Sequence, residues 1–330
     1  MKVLVTGGCG FIGSAVVNRL ASEGHEIDIV DDLSSGDPSN LEVSFRTVLP
    51  ALLPGYASSQ SDILLITGDF ADTAVLDRIR SGMYEVIFHL AAQPRVGYSV
   101  EHPVETNEVN LHKSLAIFKL AADSNARVVF SSSSAVYGSV ERLPTNESQL
   151  PMPESPYGLQ KSMCEQYISL FAKLYNLDAV CLRYFNAYGP KAMGDSPYAT
   201  AVAAWCHALH DDRPLRKDGN GSQSRDLVYI DDIVEANYLA AQSERKFHGE
   251  VINVCSGKSY TNNEILKMLE EKVGILNIVN APAREGDVQA TLGDPQRAAE
   301  LLNFSAKVQF KDGLETTLKW WGINKCATRN

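Results

Sequence analysis

Residues 2–13 have the sequence KVLVTGGCGFIG, and this stretch decides the fold. Lys2–Thr6 is an apolar, β-branched run typical of a strand, and an apolar helical pattern follows the glycines. Glycines at positions 7, 10 and 13 of such a strand-turn-helix unit permit a tight turn, close approach of the backbone to a pyrophosphate, and close packing of helix on strand. The stretch therefore predicts a dinucleotide site formed by Gly7, Gly10, Phe11, Ile12 and Gly13.

A pair of carboxylates marks the end of the second predicted strand. Glu26–Asp31 has a strand pattern and is followed by Asp32, about twenty residues after the glycine turn. A carboxylate at this position accepts hydrogen bonds from the ribose hydroxyls of the adenosine. Two carboxylates without a following arginine would repel a 2′-phosphate, so Asp31 and Asp32 favour NAD over NADP.

Strand and helix patterns alternate through the first half of the chain, which predicts βαβ units and a parallel sheet. Further strands are predicted at Ile63–Thr67, Val86–Leu90, Val128–Ser132, Ala179–Arg183 and Val251–Val254, and helices at Gly13–Glu23, Ala74–Ser81 and Glu105–Ser124. The fold class is therefore α/β, a Rossmann-type doubly wound parallel sheet with a smaller C-terminal substrate-binding domain. We expect the NAD-binding domain to take residues 1–185 with returning segments at about 220–260, and the substrate-binding domain to take 186–219 and 258–330. No element is predicted for 34–61.

Composition excludes several other classes of protein. The chain has 330 residues and a net charge of -10, which disfavours binding to nucleic acid or to anionic membrane surfaces. Its six cysteines form neither a metal motif nor a disulfide framework. There is no apolar run of the ~20 residues that a membrane span needs, and the N-terminus lacks the features of a signal peptide. We therefore expect a cytoplasmic protein without a metal site.

The ends of the next strands predict more of the cofactor site, because ligands bind at the carboxyl edge of a doubly wound sheet. Asp69 and Phe70 follow the third predicted strand and are expected near the adenine. Leu90, Ala91 and Ala92 follow the fourth, where small residues let the backbone pass close to a cofactor. His89 itself is interpreted as a packed histidine without a catalytic role.

The catalytic residues are predicted from a serine-rich strand end and a helical motif. Tyr157 and Lys161 are four residues apart on a predicted helix, so both lie on one face of it. A nearby ammonium and a positive nicotinamide ring would stabilise the phenolate and lower the pKa of Tyr157 from its usual value near 10. Ser133 could then hydrogen-bond the same substrate hydroxyl.

Together these motifs resemble the extended short-chain dehydrogenase/reductase family, and within it the nucleotide-sugar 4-epimerases that act on UDP-glucose and UDP-N-acetylglucosamine. The resemblance runs from Met1 to about Trp321 and rests on residues 6–13, 89–92, 133–138, 157–161, 183–190, 224–226 and 284–287. It implies an NAD-dependent enzyme and a homodimer formed through two helices, Asn107–Ala122 and Tyr157–Leu174. The resemblance also implies roles for individual residues. Asn110, Ser131 and Phe185 would border the cofactor, with Asn110 fixing a water near Lys161, and Ser133, Ser134, Asn186, Arg225, Arg284, Asp287 and Thr291 would bind the nucleotide sugar.

In the family that the chain resembles, the two positions after the catalytic serine, here Ser134 and Ala135, bear on the choice of reaction. Nucleotide-sugar 4,6-dehydratases place Asp-Glu after the catalytic serine or threonine, and sugar-acid decarboxylases have a glutamate where this chain has Ala135. Epimerisation needs neither acid, so 4-epimerisation is favoured. A decarboxylase, a dehydratase and an epimerase for a GDP- or dTDP-sugar remain alternatives. A protein that binds NAD without catalysis is an alternative of another class, although such proteins commonly lose the tyrosine or the lysine.

Two positions bear on the substrate. In the resemblance, the position of Thr291 lies beside the sugar, where a small residue is associated with N-acetylated sugars and a tyrosine with hexoses alone. Thr291 therefore favours UDP-GlcNAc/UDP-GalNAc, along with UDP-Glc/UDP-Gal. Asp218 stands where family members have an aromatic residue near the nucleotide base, which leaves the base open.

Overall fold

The structure is a computed structural model that describes residues 1–55, 63–140, 142–195, 199–283 and 288–323. Its strands are β1 Lys2–Thr6, β2 Glu26–Asp31, β3 Phe45–Val48, β4 Ile63–Thr67, β5 Val86–His89, β6 Arg127–Ser133, β7 Ala179–Tyr184, β8 Asn186–Tyr188, β9 Leu215–Asp218, β10 Ser224–Tyr229, β11 His248–Val254, β12 Ser259–Thr261 and β13 Ile278–Ala281. Its α-helices are α1 Phe11–Ser22, α2 Thr73–Arg80, α3 Val96–Glu101, α4 Pro103–Asn107, α5 Lys113–Ser124, α6 Pro156–Tyr175, α7 Ala201–His210, α8 Ile230–Gln242, α9 Asn262–Val273, α10 Gln296–Leu302 and α11 Phe310–Trp320.

Eight parallel strands form the central sheet, in the order β11-β7-β6-β5-β1-β2-β4-β3. The chain builds outward from β1 through β2 to β4 and β3, and then returns to the other side of β1 with β5. The strand order therefore reverses between β1 and β5, and the crevice at the carboxyl ends of these two strands is where a doubly wound sheet binds its ligand. This confirms the predicted fold class.

The strands are apolar on both faces because helices cover both sides of the sheet. Val3, Leu4 and Val5 of β1 are all fully buried. The helices α1 and α8 pack together on one side, and α2, α5 and α6 cover the other. The ends of each predicted strand differ from those of the observed strand by at most two residues. The exception is β11, which starts three residues earlier than predicted, at His248.

The sequence patterns left several elements unpredicted, including α3, α7–α11, β8–β10, β12 and β13. Two more fall within segments described above. One is β3, which lies in the unassigned 34–61 segment and pairs with β4 at the edge of the sheet. The other is a π-helical turn, Glu108–His112, between α4 and α5, in which the Lys113 backbone N–H donates to the carbonyl of Glu108, five residues earlier. The predicted helix Glu105–Ser124 is therefore interrupted by one wide turn.

Two small sheets lie beyond the carboxyl ends of the large one. The first has the order β12-β10-β8, and the second pairs β13 with β9. Their side chains share a hydrophobic core with α1, α8 and one face of the large sheet, which includes Val5, Phe88, Trp205, Leu269 and Leu314. A second core lies under α2, α5 and α6 on the opposite face. Among the described residues, no helix has both the length and the apolar character that a membrane span requires.

Candidate active site

The glycine turn between β1 and α1 leaves no room for side chains. A Cβ on Gly13 would lie 2.0 Å from the carbonyl oxygen of Gly7, and one on Gly7 would lie 2.8 Å from the Cα of Ala91. Gly10 is the N-cap of α1 and offers no side-chain hydrogen bond to the first turn. Backbone N–H groups at such a helix N-terminus attract anions. This cradle fits the pyrophosphate of a dinucleotide.

The two acids after β2 have different environments. Asp31 is buried, and its carboxylate accepts hydrogen bonds from the backbone N–H groups of Cys9 (2.8 Å) and Leu33 (2.9 Å). Burial raises the pKa of Asp31, and these two hydrogen bonds oppose the rise. Asp32 is exposed and accepts from the backbone N–H and the hydroxyl of Ser34. Only Asp31 therefore lies inside the crevice beside the glycine turn.

The predicted adenine residues lie on the far side of β2. The Asp69 carboxylate caps the backbone N–H of Ala71 (2.8 Å) and forms an ion pair with Lys113 on α5. Phe70 is buried, and its ring lies edge-on to His89 with centroids 5.0 Å apart.

Asn110 lies in the π turn and holds the loop that follows β5. Its side-chain oxygen accepts from the backbone N–H of Gln93 (2.7 Å), and its amide donates to the carbonyl of Gln93 (3.1 Å) and to Gln160 (2.8 Å). Leu90, Ala91 and Ala92 are half-buried in this loop. The role expected for Asn110, a water near Lys161, stays a prediction.

Tyr157 stands in the first turn of α6, where three side chains fix the helix start. Ser155 is the N-cap and accepts from the backbone N–H of Gly158 (3.1 Å). The backbone N–H of Tyr157 donates to the hydroxyl of Ser99 on α3 (3.1 Å). The hydroxyl of Ser133 hydrogen-bonds the Tyr157 phenol and accepts from the backbone N–H of Ala135 (3.1 Å). The structure therefore brings Tyr157 and Ser133 together.

Lys161 is fully buried one turn further along α6. Its Nζ donates to the carbonyl of Ser131 (2.7 Å), and it lies 4.8 Å from the centroid of the Phe130 ring and 5.8 Å from that of Tyr157. Burial lowers the pKa of Lys161 to about 8. Burial also raises the pKa of Tyr157 to about 12, against the lowering effect of its hydrogen bond with Ser133. The chain alone therefore keeps the phenol protonated at neutral pH, and the predicted lowering of its pKa requires the charge of the bound cofactor.

Sequence reasoning missed a buried ion pair behind these residues. Glu165, one turn after Lys161, accepts from Nε (2.8 Å) and Nη2 (2.6 Å) of Arg183 on β7 and from the hydroxyl of Ser132 (2.5 Å). The pair fixes α6 against β6 and β7, and the Glu165 charge raises the pKa of Lys161 against the effect of burial. The spacing of Glu165, four residues after Lys161, was its only sequence signal.

Two of the predicted substrate residues, Asn186 and Thr291, contact each other in the structure. The side-chain amide of Asn186, at the start of β8, donates to the hydroxyl of Thr291 (3.2 Å), which also accepts from the backbone N–H of Asp226 (3.1 Å). The buried carboxylate of Asp226 accepts from the backbone N–H groups of Ser256, Gly257 and Gly293. Asp226 therefore ties β10, which also carries Arg225, to the loop that carries Thr291.

The remaining site residues are placed as follows. Arg225 is half-buried, and its Nη1 donates to the carbonyl of Ser224 (2.9 Å). Phe185 is buried between β7 and β8, and a Cβ on Gly293 would lie 2.8 Å from its ring. Ser134 begins a short 3-10 turn directly after β6. Arg284 and Asp287 lie outside the described residues.

Comparison with known proteins identifies the family. The NAD dependent epimerase/dehydratase family matches residues 3–255. The chain belongs to this family. The family member UDP-glucose 4-epimerase of Mycolicibacterium smegmatis is 32% identical over 326 residues, which cover 97% of this chain and 98% of that protein. Membership confirms an enzyme of the epimerase type and NAD as its cofactor.

Two solved structures of family members are similar over nearly the whole chain. UDP-glucose 4-epimerase of Thermotoga maritima, solved with UDP-glucose, has a TM-score of 0.86 and 34% identity, covering 98% of this chain and 99% of that one. UDP-N-acetylglucosamine 4-epimerase of Methanobrevibacter ruminantium M1, solved with UDP-N-acetylmuramic acid, has a TM-score of 0.85 and 34% identity, covering 97% of each chain. These family members act on different sugars, so the relationship leaves the sugar open.

Proposed function

We propose that this family member is a UDP-sugar 4-epimerase that interconverts UDP-GlcNAc and UDP-GalNAc and also accepts UDP-Glc and UDP-Gal. The observation that carries the reaction type is the meeting of Ser133, Tyr157 and Lys161 beside the dinucleotide cradle. No carboxylate follows Ser133 on the strand end, so a dehydratase or a decarboxylase lacks its acid.

In the proposed mechanism, the Tyr157 phenolate takes the proton of the sugar hydroxyl at C4. Ser133 hydrogen-bonds both the phenol and the sugar oxygen and so aligns the two for proton transfer. Lys161 stays charged below its pKa of about 8 and stabilises the phenolate electrostatically. When bound, NAD would accept the hydride from C4, return it to C4 of the 4-keto sugar from the other face, and supply a positive ring charge that lowers the pKa of Tyr157. After the 4-keto sugar has turned its other face and C4 has regained its hydride, Tyr157 returns the proton to O4, which completes the inverted alcohol.

The cofactor would be held by residues at the carboxyl ends of β1, β2, β4 and β5. The backbone of the glycine turn, with Phe11 and Ile12, would contact the pyrophosphate, and Asp31 would accept from the adenosine ribose. Asp69 and Phe70 would border the adenine, and Leu90–Ala92, Asn110, Ser131 and Phe185 would border the nicotinamide half. Asp31 is the buried acid of its pair, which supports NAD over NADP.

The sugar preference rests on Thr291. Its short side chain lies beside Asn186, held through its hydroxyl by Asn186 and by the backbone of Asp226. A small residue here leaves volume for an acetamido group. Asn186 with Arg225 and Arg284 would bind the diphosphate, because guanidinium groups suit phosphate geometry. Ser134, Asp287 and Thr291 would contact the sugar.

The charge of Asp218 is paired and therefore does not argue against a uracil base. Its carboxylate accepts from Nε of Arg216 (2.7 Å) on the same strand, and its carbonyl accepts from Gln223. The negative charge that departs from the family pattern is therefore paired within β9.

A single experiment tests both reaction and sugar. The purified protein, without added cofactor, is incubated separately with UDP-GlcNAc and UDP-Glc, and the products are resolved by NMR. We expect the galacto isomer from both, faster from UDP-GlcNAc. A 4-keto-6-deoxy sugar, a pentose or no product would contradict the proposal and direct the same assay to GDP- and dTDP-sugars.

The role of Thr291 is tested by separating volume from hydrogen bonding. Thr291→Tyr fills the acetamido space and should lower kcat/KM for UDP-GlcNAc by about tenfold or more relative to UDP-Glc. Thr291→Val, which keeps the size and removes the hydroxyl, is the matched control and should keep the wild-type preference. An unchanged preference in Thr291→Tyr would contradict the assignment.

We also propose a homodimer formed through α5 and α6. Leu159, Leu170 and Leu174 on α6 and Val104 on α4 are exposed apolar side chains on this face. A cavity of about 650 Å³ lies between the starts of α4 and α6, lined by Val104, Leu159 and Met163 among others. A second copy would cover both.

A further inference from the structure

A fully buried polar side chain lies among three aromatic rings, next to the loop of residues 90–93 that follows β5. His89, the last residue of β5, is fully buried. Its ring is surrounded by Phe70, Phe118 and Phe130, at centroid distances of 5.0, 5.7 and 6.0 Å. Ring nitrogens in such a setting must be hydrogen-bonded to offset their desolvation.

Both nitrogens of His89 have a hydroxyl partner. Nδ1 lies 2.8 Å from Oγ1 of Thr6 on β1, and Nε2 lies 2.8 Å from Oγ of Ser114 on α5. Each hydroxyl has a second partner, because Thr6 accepts from the backbone N–H of Ala91 (3.2 Å) and Ser114 donates to the carbonyl of Asn110 (2.9 Å).

The other hydrogen-bond partners of Thr6 and Ser114 determine which ring nitrogen of His89 carries the proton. A hydroxyl has one hydrogen, and a carbonyl only accepts. Ser114 gives its hydrogen to Asn110, so it must accept from His89, and Nε2 carries the ring proton. Nδ1 is then an acceptor, to which Thr6 donates. In the other neutral tautomer, Thr6 would accept from both Nδ1 and the Ala91 N–H, and its own hydrogen would have no acceptor among these partners.

The two ends of this series of hydrogen bonds reach the same loop, residues 90–93. Ala91 is the residue that a Cβ on Gly7 would strike, and its N–H is held by Thr6. Asn110, at the other end, grips both the N–H and the carbonyl of Gln93 through its side chain. The hydrogen bonds therefore close a ring from Ala91 through His89 and Asn110 to Gln93.

We propose that His89 is a positioning residue for the dinucleotide, which as the neutral Nε2–H tautomer fixes the loop 90–93 against the glycine turn through Thr6, Ser114 and Asn110. The inference rests on the cofactor site of the proposed function and not on the sugar or the reaction. Burial and the charge of Lys161 lower the pKa of His89 to about 3, which agrees with a neutral ring.

The tautomer is tested on the whole wild-type protein labelled with ¹⁵N-histidine. Long-range proton-nitrogen correlation should give His89 a pyrrole-type Nε2 and a pyridine-type Nδ1, unchanged between pH 8 and pH 5, with the signals assigned by their loss in His89→Gln. A pyrrole-type Nδ1, or a titration midpoint near the ordinary pKa of histidine, would overturn the proposal.

The positioning role is tested through NAD⁺ binding without any sugar nucleotide. Thr6→Val removes the hydroxyl between His89 and Ala91 and should weaken NAD⁺ binding about tenfold or more. Its KM for UDP-GlcNAc should stay near wild type at saturating NAD⁺, and Thr6→Ser should restore affinity. Thr317→Val is the matched control, because its buried hydroxyl donates to the carbonyl of Gly313 within α11.

The outcomes of these binding experiments distinguish the role proposed for His89 from the proposed function. Equal NAD⁺ affinities of Thr6→Val and Thr317→Val would overturn the role of His89 whatever the reaction. The predicted loss of NAD⁺ affinity in a protein that converts no UDP-sugar would support the role of His89 and contradict the proposed function instead.

Discussion

Tyr157 and Lys161 have pKa values that burial moves in opposite senses. The phenol pKa rises to about 12 and the ammonium pKa falls to about 8. Each side chain is driven toward its neutral form, because burial removes the water that would solvate its charge. The pair therefore becomes a base only when further positive charge enters the crevice, which links proton transfer to the presence of the cofactor.

The role of Tyr157 as base predicts a large loss on removal of one oxygen. Tyr157→Phe should lower kcat by about 10²–10⁴-fold, the range that general base catalysis contributes. Tyr84→Phe is the matched control, since this phenol is equally buried but donates to Asp28 (2.6 Å) at the opposite end of the sheet. NMR of the product sugar measures both. Activity of Tyr157→Phe within tenfold of Tyr84→Phe would exclude the role.

His89 predicts a specific acid sensitivity. The folded state lowers its pKa to about 3 from an ordinary value near 6.5, so between these values the unfolded chain binds the extra proton. The stability that depends on neutral His89 is complete above pH 6.5 and is lost as the pH falls, by at most about 1.4 kcal/mol per pH unit.

Urea unfolding at a series of pH values between 6.5 and 5 measures this effect. His89→Gln cannot titrate, so its free energy of unfolding should fall less steeply with pH than that of the wild type. Buried carboxyls such as Asp226, whose pKa burial raises, act in the opposite direction but cancel in the difference. His248→Gln, at an exposed histidine, is the control. Parallel slopes for His89→Gln and wild type would contradict the prediction.

At the scale of elements, local patterns predicted most of the large sheet and the helices α1, α2, α5 and α6. The glycine turn, the acid after β2 and the Tyr157/Lys161 spacing are local signals, and the strands between them are continuous apolar runs. The strand β3 was not predicted because it is short and because two of its four residues are exposed at the edge of the sheet. The π turn was not predicted because it depends on tertiary contacts, namely those of Asn110 with Gln93 and Gln160.

The glycine turn predicts a sharp difference between neighbouring positions. Gly13→Ala places its methyl 2.0 Å from a backbone oxygen, whereas the nearest neighbour of a methyl at Gly10 lies 3.3 Å away. Gly13→Ala must shift α1 away from β1 and should abolish retention of NAD, while Gly10→Ala should retain it with moderately lower affinity. NAD released by heat denaturation of the purified proteins gives the comparison. Full occupancy in Gly13→Ala would contradict the role of the turn.

At the scale of the molecule, the sequence predicted where the chain leaves the large sheet but not what it builds there. The sheets β12-β10-β8 and β13-β9 join segments far apart in the sequence, so no local pattern specifies their pairing. The same holds for Asn186 and Thr291, which are 105 residues apart and are joined by a direct hydrogen bond. The domain boundaries at 185, 219 and 258 stay a prediction.

The proposed dimer gives a test at this scale. Leu170→Glu combined with Leu174→Glu places two charges on the exposed face of α6, four to five turns from Tyr157, and should convert the dimer to single chains. Sedimentation velocity measures the mass. Ile275→Glu is the control, because this side chain is almost fully exposed elsewhere, after α9. A wild type that sediments as one chain would exclude the dimer.

The shared hydrophobic core restricts how this enzyme can acquire new substrates in evolution. Trp205, Leu269 and Leu314 pack in the same cluster as Val5 and Phe88 of the parallel sheet, so the C-terminal segments are not an interchangeable module. Transplanting them from a relative would disturb the layer that supports the cofactor. Divergence in sugar preference should therefore proceed by single exchanges on the crevice loops, such as position 291, while the cluster beneath them drifts slowly and in concert.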